Sequence, residues 1–139
     1  MAILQAIATS FKAEILQGIH DSADTYKIAL YTSAATLGAT TTAYSATNEV
    51  SGKGYTAGGT TITGFTVNTS GTTAFIDFTT DPSWANATIT ARGALIYNSS
   101  KTNKAVYVLD FGSDISSTNG AFTVTFPTPD ATNGLIRLG

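Results

Sequence analysis

The most constraining feature of this sequence is the way its apolar residues are spaced after Asp24. Runs of β-branched and aromatic residues are short there, and clusters of Gly, Asn, Ser and Thr separate them. Such runs recur at spacings of roughly 8 to 12 residues, which is typical of sandwiches and barrels. The pattern predicts a mainly β fold, a β-sandwich or jelly-roll-like architecture of about eight or nine strands.

The positions of the strands follow from these runs. The predicted strands are Tyr26 to Thr32, Glu49 to Tyr55, Thr60 to Asn68, Thr72 to Thr79, Ala87 to Asn98, Lys104 to Phe111, Ala121 to Phe126 and Leu135 to Leu138. A kink is expected at Gly93, and the loop Asn98 to Asn103 is expected to close a hairpin. Asn119-Gly120 and Asn133-Gly134 are typical turn dipeptides.

The first 20 residues have a different period. Their apolar residues recur at three- and four-residue steps and predict one N-terminal amphipathic helix over residues 1–20. A turn at Asp21 to Asp24 then ends it. The apolar stripe needs a surface to cover it, either the chain's own sheet or a neighbouring subunit, and the sequence leaves both open.

Length and composition indicate one neutral domain. A chain of 139 residues and 14.3 kDa is expected to form a single β-rich domain over residues 1–139, with the strands in residues 25–139. Charged residues make up 12% of the chain, against about 25% in an average protein. About 38 serines and threonines take their place. The expected surface is uncharged and rich in hydroxyl groups.

Several function classes are disfavoured. The seven Lys and Arg residues are scattered singly, so no basic stripe is present for nucleic acid. No apolar run approaches the roughly 20 residues that span a bilayer, and no signal peptide is evident, so we expect no membrane partner and a cytoplasmic protein. The absence of cysteine removes thiol chemistry and disulfides. We expect no cofactor and no bound metal.

The residues that most often carry chemistry have simpler interpretations. The one histidine, His20, is expected to cap the C-terminus of the predicted helix. Asp77 and Asp110 each alternate with apolar neighbours, which predicts a place on the solvent face of a strand. Trp84 is expected in the core. We therefore expect no catalysis; a hydrolase using Asp77 or Asp110 ranks last among the alternatives.

What remains is a surface for contact with other proteins. A nearly uncharged, hydroxyl-rich β domain does not repel copies of itself in a crowded array. The candidate interface residues are the helix stripe and the Ala- and Thr-rich loop Ala34 to Asn48, and from these we select Ile3, Ile7, Phe11, Ile15, Leu37 and Tyr44. The alternatives are that the stripe packs on the chain's own sheets and that the loop is a solvated linker.

Longer segments of the sequence resemble a family. SFKAEILQGIHDSADTYKIALYTSAATLGATTTAYSATNEVSGKGYTAGG, followed by TARGALIYNSS and NKAVYVLDFG, resembles small structural proteins encoded by tailed bacteriophages. Among these the chain looks most like the capsid decoration, or cement, proteins. The matched segments are strand and turn patterns and include no catalytic signature.

This resemblance implies a role as well as a fold. It implies a β-rich, often jelly-roll-like homodimer or homotrimer without catalysis, which binds the major capsid protein on the outer capsid surface of the virion after assembly in the host cytoplasm. One alternative is a tail, connector or head-fibre component. Another is a carbohydrate-binding module that uses Trp84 and exposed tyrosines as stacking platforms.

Overall fold

The computed structural model describes residues 2–126 and 135–138. It confirms the predicted mainly β, sandwich-like fold with one short helix near the N-terminus. The elements in chain order are β1 (Ala6–Ile7), α1 (Thr9–Leu16), β2 (Tyr26–Tyr31), β3 (Thr60–Ile62), β4 (Phe65–Ser70), β5 (Thr73–Phe78), β6 (Ser83–Asn98), β7 (Lys104–Thr123) and β8 (Ile136–Leu138). In the described residues, no helix is long and apolar enough to span a bilayer.

The strands form two antiparallel sheets. The large sheet has the order β1-β7-β6-β2-β3, and the small sheet has the order β4-β5-β8. The predicted hairpin on either side of residues 98–103 is confirmed, and its two long strands, β6 and β7, form the middle of the large sheet. The predicted terminal strand is present as β8, while the Asn133-Gly134 turn lies outside the described residues.

The N-terminal helix is shorter than the period predicts. Instead of covering residues 1–20, α1 covers Thr9–Leu16, because the preceding residues join the large sheet. Ala6 and Ile7 pair with β7, and Ile3 bridges to Leu37. The four-residue step from Ile3 to Ile7 keeps both side chains on one side of a helix or of a strand, so this pattern fits both.

A single predicted strand is divided between the two sheets. Thr60 to Asn68 forms β3 in the large sheet and β4 in the small sheet, with Gly64 between them at φ +79°. A Cβ at Gly64 would overlap the Thr79 side chain. Glycine is therefore required where the chain passes from one sheet to the other.

Two other local predictions were wrong. Asn119-Gly120 is not a hairpin turn: β7 continues through it, and Asn119 adopts φ 49° within an irregularity opposite β6. Glu49 to Tyr55 does not form a strand but makes only isolated bridges, including Lys53 to Thr88. Gly54, at φ +86°, lets this segment approach the backbone of Ala87 closely.

The core lies between the sheets and under α1. Strand β2 is flanked by β6 and β3 and is buried on both faces, with Lys27 alone half-buried. Trp84 is 6% exposed and packs near Tyr55 and Phe122, with ring centroids 5.8 and 6.1 Å away. The expected core position of Trp84 is confirmed.

Candidate functional site

The six candidate interface residues are less accessible than their selection assumed. Ile3 and Phe11 belong to the core, with 5% and 1% of their surface exposed. The other four are half-buried and pack against the core: Ile7, Ile15, Leu37 and Tyr44. For Ile3 and Phe11, therefore, the alternative applies: these two side chains of the stripe pack within the chain's own core. The most exposed apolar side chains of this region are Leu4 and Leu16, at 65% and 86%.

The N-terminal segment and the Ala- and Thr-rich loop, which were predicted separately, lie side by side. The Leu4 amide donates to the Leu37 carbonyl at 2.9 Å, and the Leu37 amide donates to the Ala2 carbonyl at 3.1 Å. The Thr9 amide donates to the Ala39 carbonyl at 2.8 Å. These backbone bonds form one surface from two regions of sequence.

The far end of the same loop is also held. The Tyr44 amide donates to the Asn103 carbonyl at 2.9 Å, and the Ala105 amide donates to the Thr42 carbonyl at 3.0 Å. The loop thus covers the backbone at the start of β7. It is a structured part of the sheet edge and not a solvated linker.

Glu49 organises the end of this loop and the segment after it. Its Oε1 accepts a hydrogen bond from the Tyr44 hydroxyl at 2.6 Å, and its Oε2 accepts from the Tyr55 hydroxyl at 2.5 Å and the Gly58 amide at 2.7 Å. The Tyr97 hydroxyl donates to the Gly58 carbonyl at 2.6 Å. Bonds to a carboxylate are stronger than bonds between neutral groups. We call Glu49 and its partners Tyr44, Tyr55 and Gly58 the Glu49 cluster.

The tyrosines of the Glu49 cluster are held as neutral hydroxyl donors. Burial, followed by the hydrogen bond to Glu49, raises the pKa of Tyr44 and of Tyr55 above the usual value for tyrosine. The sequence did not single out Glu49, because a lone acid among threonines carries no spacing signal. Only the fold brings these three side chains together across residues 44–55.

A groove of about 500 Å³ lies beside this cluster, on the exposed side of the β6–β7 hairpin. Its lining is mostly hydroxyl-bearing, and we call it the hydroxyl groove; its residues are Thr32, Glu49, Ser51, Thr88, Ile89, Thr90, Ser116, Ser117 and Thr118. Thr90 and Ser116 share a hydrogen bond of 2.8 Å across the strands. Both carboxylate oxygens of Glu49 are already bonded within the chain. The groove therefore offers hydroxyl groups and little unpaired charge.

His20 does not cap the helix, which ends four residues before it. Its side chain is 1% exposed and lies between two partners: Nε2 is 2.9 Å from a Glu14 oxygen, and Nδ1 is 3.0 Å from the Asn98 amide nitrogen. The same Asn98 nitrogen donates to Asp24 at 2.8 Å. With the amide in this orientation Nδ1 accepts, so the imidazole proton is on Nε2. Both ring nitrogens are occupied by contacts that join α1 to the end of β6.

The two strand acids are in different surroundings. Asp77 on β5 is fully buried, which corrects the expected solvent-facing position, because the Phe78 and Leu135 amides bind its carboxylate at 2.8 and 3.3 Å. Asp110 on β7 is half-buried and accepts from the Gly112 amide at 2.9 Å and from Arg92 at 3.3 Å. The acids lie in different sheets, and within residues 2–126 and 135–138 they share no hydrogen-bond partner.

The pKa values of these acids shift in opposite directions, which gives a pH prediction. Burial raises the pKa of Asp77 above its usual 3.8, so ionisation is disfavoured in the folded state. Its stabilising contribution is therefore present below the unfolded pKa and is lost as pH rises through the folded pKa. We expect wild type to lose stability relative to Asp77→Asn as pH rises above the ordinary aspartate pKa of 3.8, as measured by urea unfolding.

Asp110→Asn is the matched control for this experiment. The Gly112 amide, and also Arg92, lower the pKa of Asp110, so its contribution is present above the unfolded pKa and is lost as pH falls through the folded pKa. The stability difference from wild type should thus have the opposite slope. A difference for Asp77→Asn that does not change with pH would contradict the assigned shift.

An apolar cleft of about 370 Å³ opens between α1 and the small sheet. Phe11 and Ile15 lie on the helix side, and Val67, Ile136 and Leu138 lie on the sheet side. Val67 and Leu138 are 59% and 50% exposed. This cleft is continuous with the core, and nothing in the sequence pattern predicted it.

Comparison of the chain with protein-family models, with curated proteins and with solved structures found no match. Within residues 2–126 and 135–138, no three acidic or histidine side chains are grouped so that they could hold a metal ion.

Proposed function

We propose that this chain is an adhesive structural protein that binds other proteins through uncharged surfaces. The observation that carries this proposal is the hydroxyl groove, where serine and threonine side chains line about 500 Å³ of accessible space. Cross-strand hydroxyl pairs continue along the hairpin, as between Ser83 and Thr123 at 3.0 Å. Hydroxyl groups offer hydrogen bonds to a partner without a strong field, which suits dense packing of copies.

The biological setting comes from the sequence resemblance. We place the protein in a tailed-bacteriophage virion, as a head decoration protein that binds the major capsid lattice from outside, as a homodimer or homotrimer. The mechanism is adhesion at many equivalent sites, each burying about 800 Å² per partner, so that modest single affinities add by avidity. A tail, connector or head-fibre position is the runner-up, and antibody labelling of intact particles distinguishes the two.

The carbohydrate-binding alternative needs an exposed stacking ring. Trp84 is 6% exposed, and the tyrosines are likewise buried or half-buried, among them Tyr26 and Tyr31 at 1%. A sugar stacks on an open aromatic face, which Trp84 does not present. The geometry therefore favours protein contact over glycan stacking.

Binding to undecorated heads tests the proposal. We expect purified wild type to bind heads of the cognate phage stoichiometrically and saturably. Thr90→Glu places a charge in the hydroxyl groove and should lower the affinity at least about tenfold, equivalent to about 1.4 kcal/mol. Thr90→Gln is the matched control, because it is similar in size but uncharged, and it should bind more like wild type. Absence of wild-type binding would reject decoration. If Thr90→Glu and Thr90→Gln both bound heads with wild-type affinity, the hydroxyl groove would be excluded as the contact.

A further inference from the structure

Among the described residues, one strand edge of the small sheet has no neighbouring strand, and we call it the open edge. β4 pairs with β5 along its whole length, from Phe65 opposite Phe78 to Ser70 opposite Thr73, without a bulge. No strand among the described residues pairs with the other side of β4. An open edge presents unpaired amide and carbonyl groups, and another strand readily pairs with them.

The groups that point outward can be identified from the ladder. The Thr79 amide donates to the Gly64 carbonyl at 3.1 Å, and this pair continues the register of β4 with β5. Hydrogen-bonded pairs alternate with non-bonded pairs along an antiparallel ladder. It follows that the backbone groups of Phe65, Val67 and Thr69 point away from β5, toward a possible partner strand.

The other outer strands are poorer templates. β1 and β3 have two and three residues. β8 also has three residues and carries Arg137. The part of β7 beyond β1 is interrupted near Gly112, at φ +81°, and carries Asp110 and Asp114. Short length, bulges and charges are the devices that protect natural edges, and the six residues of β4 have none of them and no proline.

We infer that β4 is a self-association edge, where a second copy of this chain adds its own β4 in antiparallel orientation about a twofold axis at Val67. This register pairs Val67 with Val67 and Phe65 with Thr69, and it forms about six backbone hydrogen bonds. Thr66 then lies opposite Asn68. Because no residue of β4 is charged, the twofold axis brings no like charges together.

The apolar face of the small sheet supports a second copy as the occupant. Val67 lies opposite Ile76, and Ile76 lies opposite Ile136, so the three side chains share one face of the sheet. Val67 is 59% exposed at the end of this row. A second β4 would extend this apolar row with its own Val67, and each of the two Val67 side chains would then cover the other. The inference deepens the proposed function, and it rests on that proposal for the biological role of the dimer.

Single cysteines test the register, because the natural chain has none. At a twofold axis, Val67→Cys would face its copy at a Cα separation of about 5.5 Å, within the range of a disulfide. Thr69→Cys, which is also exposed, would have its Cα about 14 Å from that of its copy in this register. We expect Val67→Cys to cross-link at least tenfold faster under mild oxidation. Equal rates would overturn the register.

The oligomeric state tests the edge itself. By sedimentation, wild type and Val67→Thr should have twice the 14.3 kDa chain mass, and Val67→Lys should have the single-chain mass while its circular dichroism spectrum shows that it remains folded. A monomeric wild type would overturn the inference, and so would a dimeric Val67→Lys. If dimeric Val67→Lys also failed to bind heads, the open edge of β4 would be a contact with the capsid and not with a second copy. Dimers that fail to bind heads would instead reject decoration and leave the edge in place.

Discussion

Replacing Phe11 with alanine is expected to lower the free energy of unfolding by about 3 to 5 kcal/mol. Phe11 is 1% exposed and is the one fully buried side chain of α1. Its ring lies 4.6 Å from the His20 ring, measured between centroids. Truncation would leave a cavity under the helix and loosen the contacts of His20. Urea or thermal unfolding of the purified variant measures the loss.

Leu16→Ala, in the same helix, is the control. Its side chain is 86% exposed, and changes at such positions usually alter stability by less than about 0.5 kcal/mol. If the stripe instead served mainly as a subunit interface, Phe11→Ala would reduce association and leave the unfolding free energy of the isolated chain almost unchanged. That result would contradict the burial described here.

Glu49→Ala is expected to destabilise the protein by about 2 to 4 kcal/mol, because it leaves three donors without their acceptor. The Tyr44 and Tyr55 hydroxyls and the Gly58 amide all bind this one carboxylate. Tyr55 also accepts from the Leu30 amide at 2.9 Å, so the loss extends to β2. Faster hydrogen exchange in residues 44–58, together with the unfolding free energy, would measure the effect.

Glu49→Gln separates charge from geometry. Its amide oxygen can still accept from Tyr55 and Gly58, and its amide group can donate to the Tyr44 oxygen. We expect a loss of about 1 kcal/mol, smaller than for alanine, since only the charge assistance is removed. Equal losses for the two variants would show that the charge, and not the number of bonds, holds the loop.

Local sequence patterns predicted the class of element well where a single period applied. The hairpin of β6 and β7 follows from alternation and from the loop after Asn98, and β5 matches its predicted span closely. The pattern was ambiguous at Ile3 and Ile7, where a four-residue step fits both helix and strand. The available sheet edge beside β7 decided in favour of the strand.

The candidate site was harder to predict. The loop Ala34 to Asn48 was correctly expected to lack regular structure, but its attachments to Asn103 and Ala105 depend on the hairpin behind it. Glu49, the hydroxyl groove and the open edge of β4 involve residues that are ordinary in sequence. Their roles come from neighbours far away along the chain.

The sequence by itself determined the mainly β class, the neutral hydroxyl-rich composition and most strand positions, because alternation and turn residues act over a few neighbouring positions. Only the tertiary structure decided which sheet each strand joins, that Asp77 is buried, and which edge is left open. Those outcomes depend on long-range pairing: Gly64 lies where the chain passes between the sheets, and within the part of the chain that the structure describes β4 pairs with β5 alone. Local propensity carries no information about such distant partners.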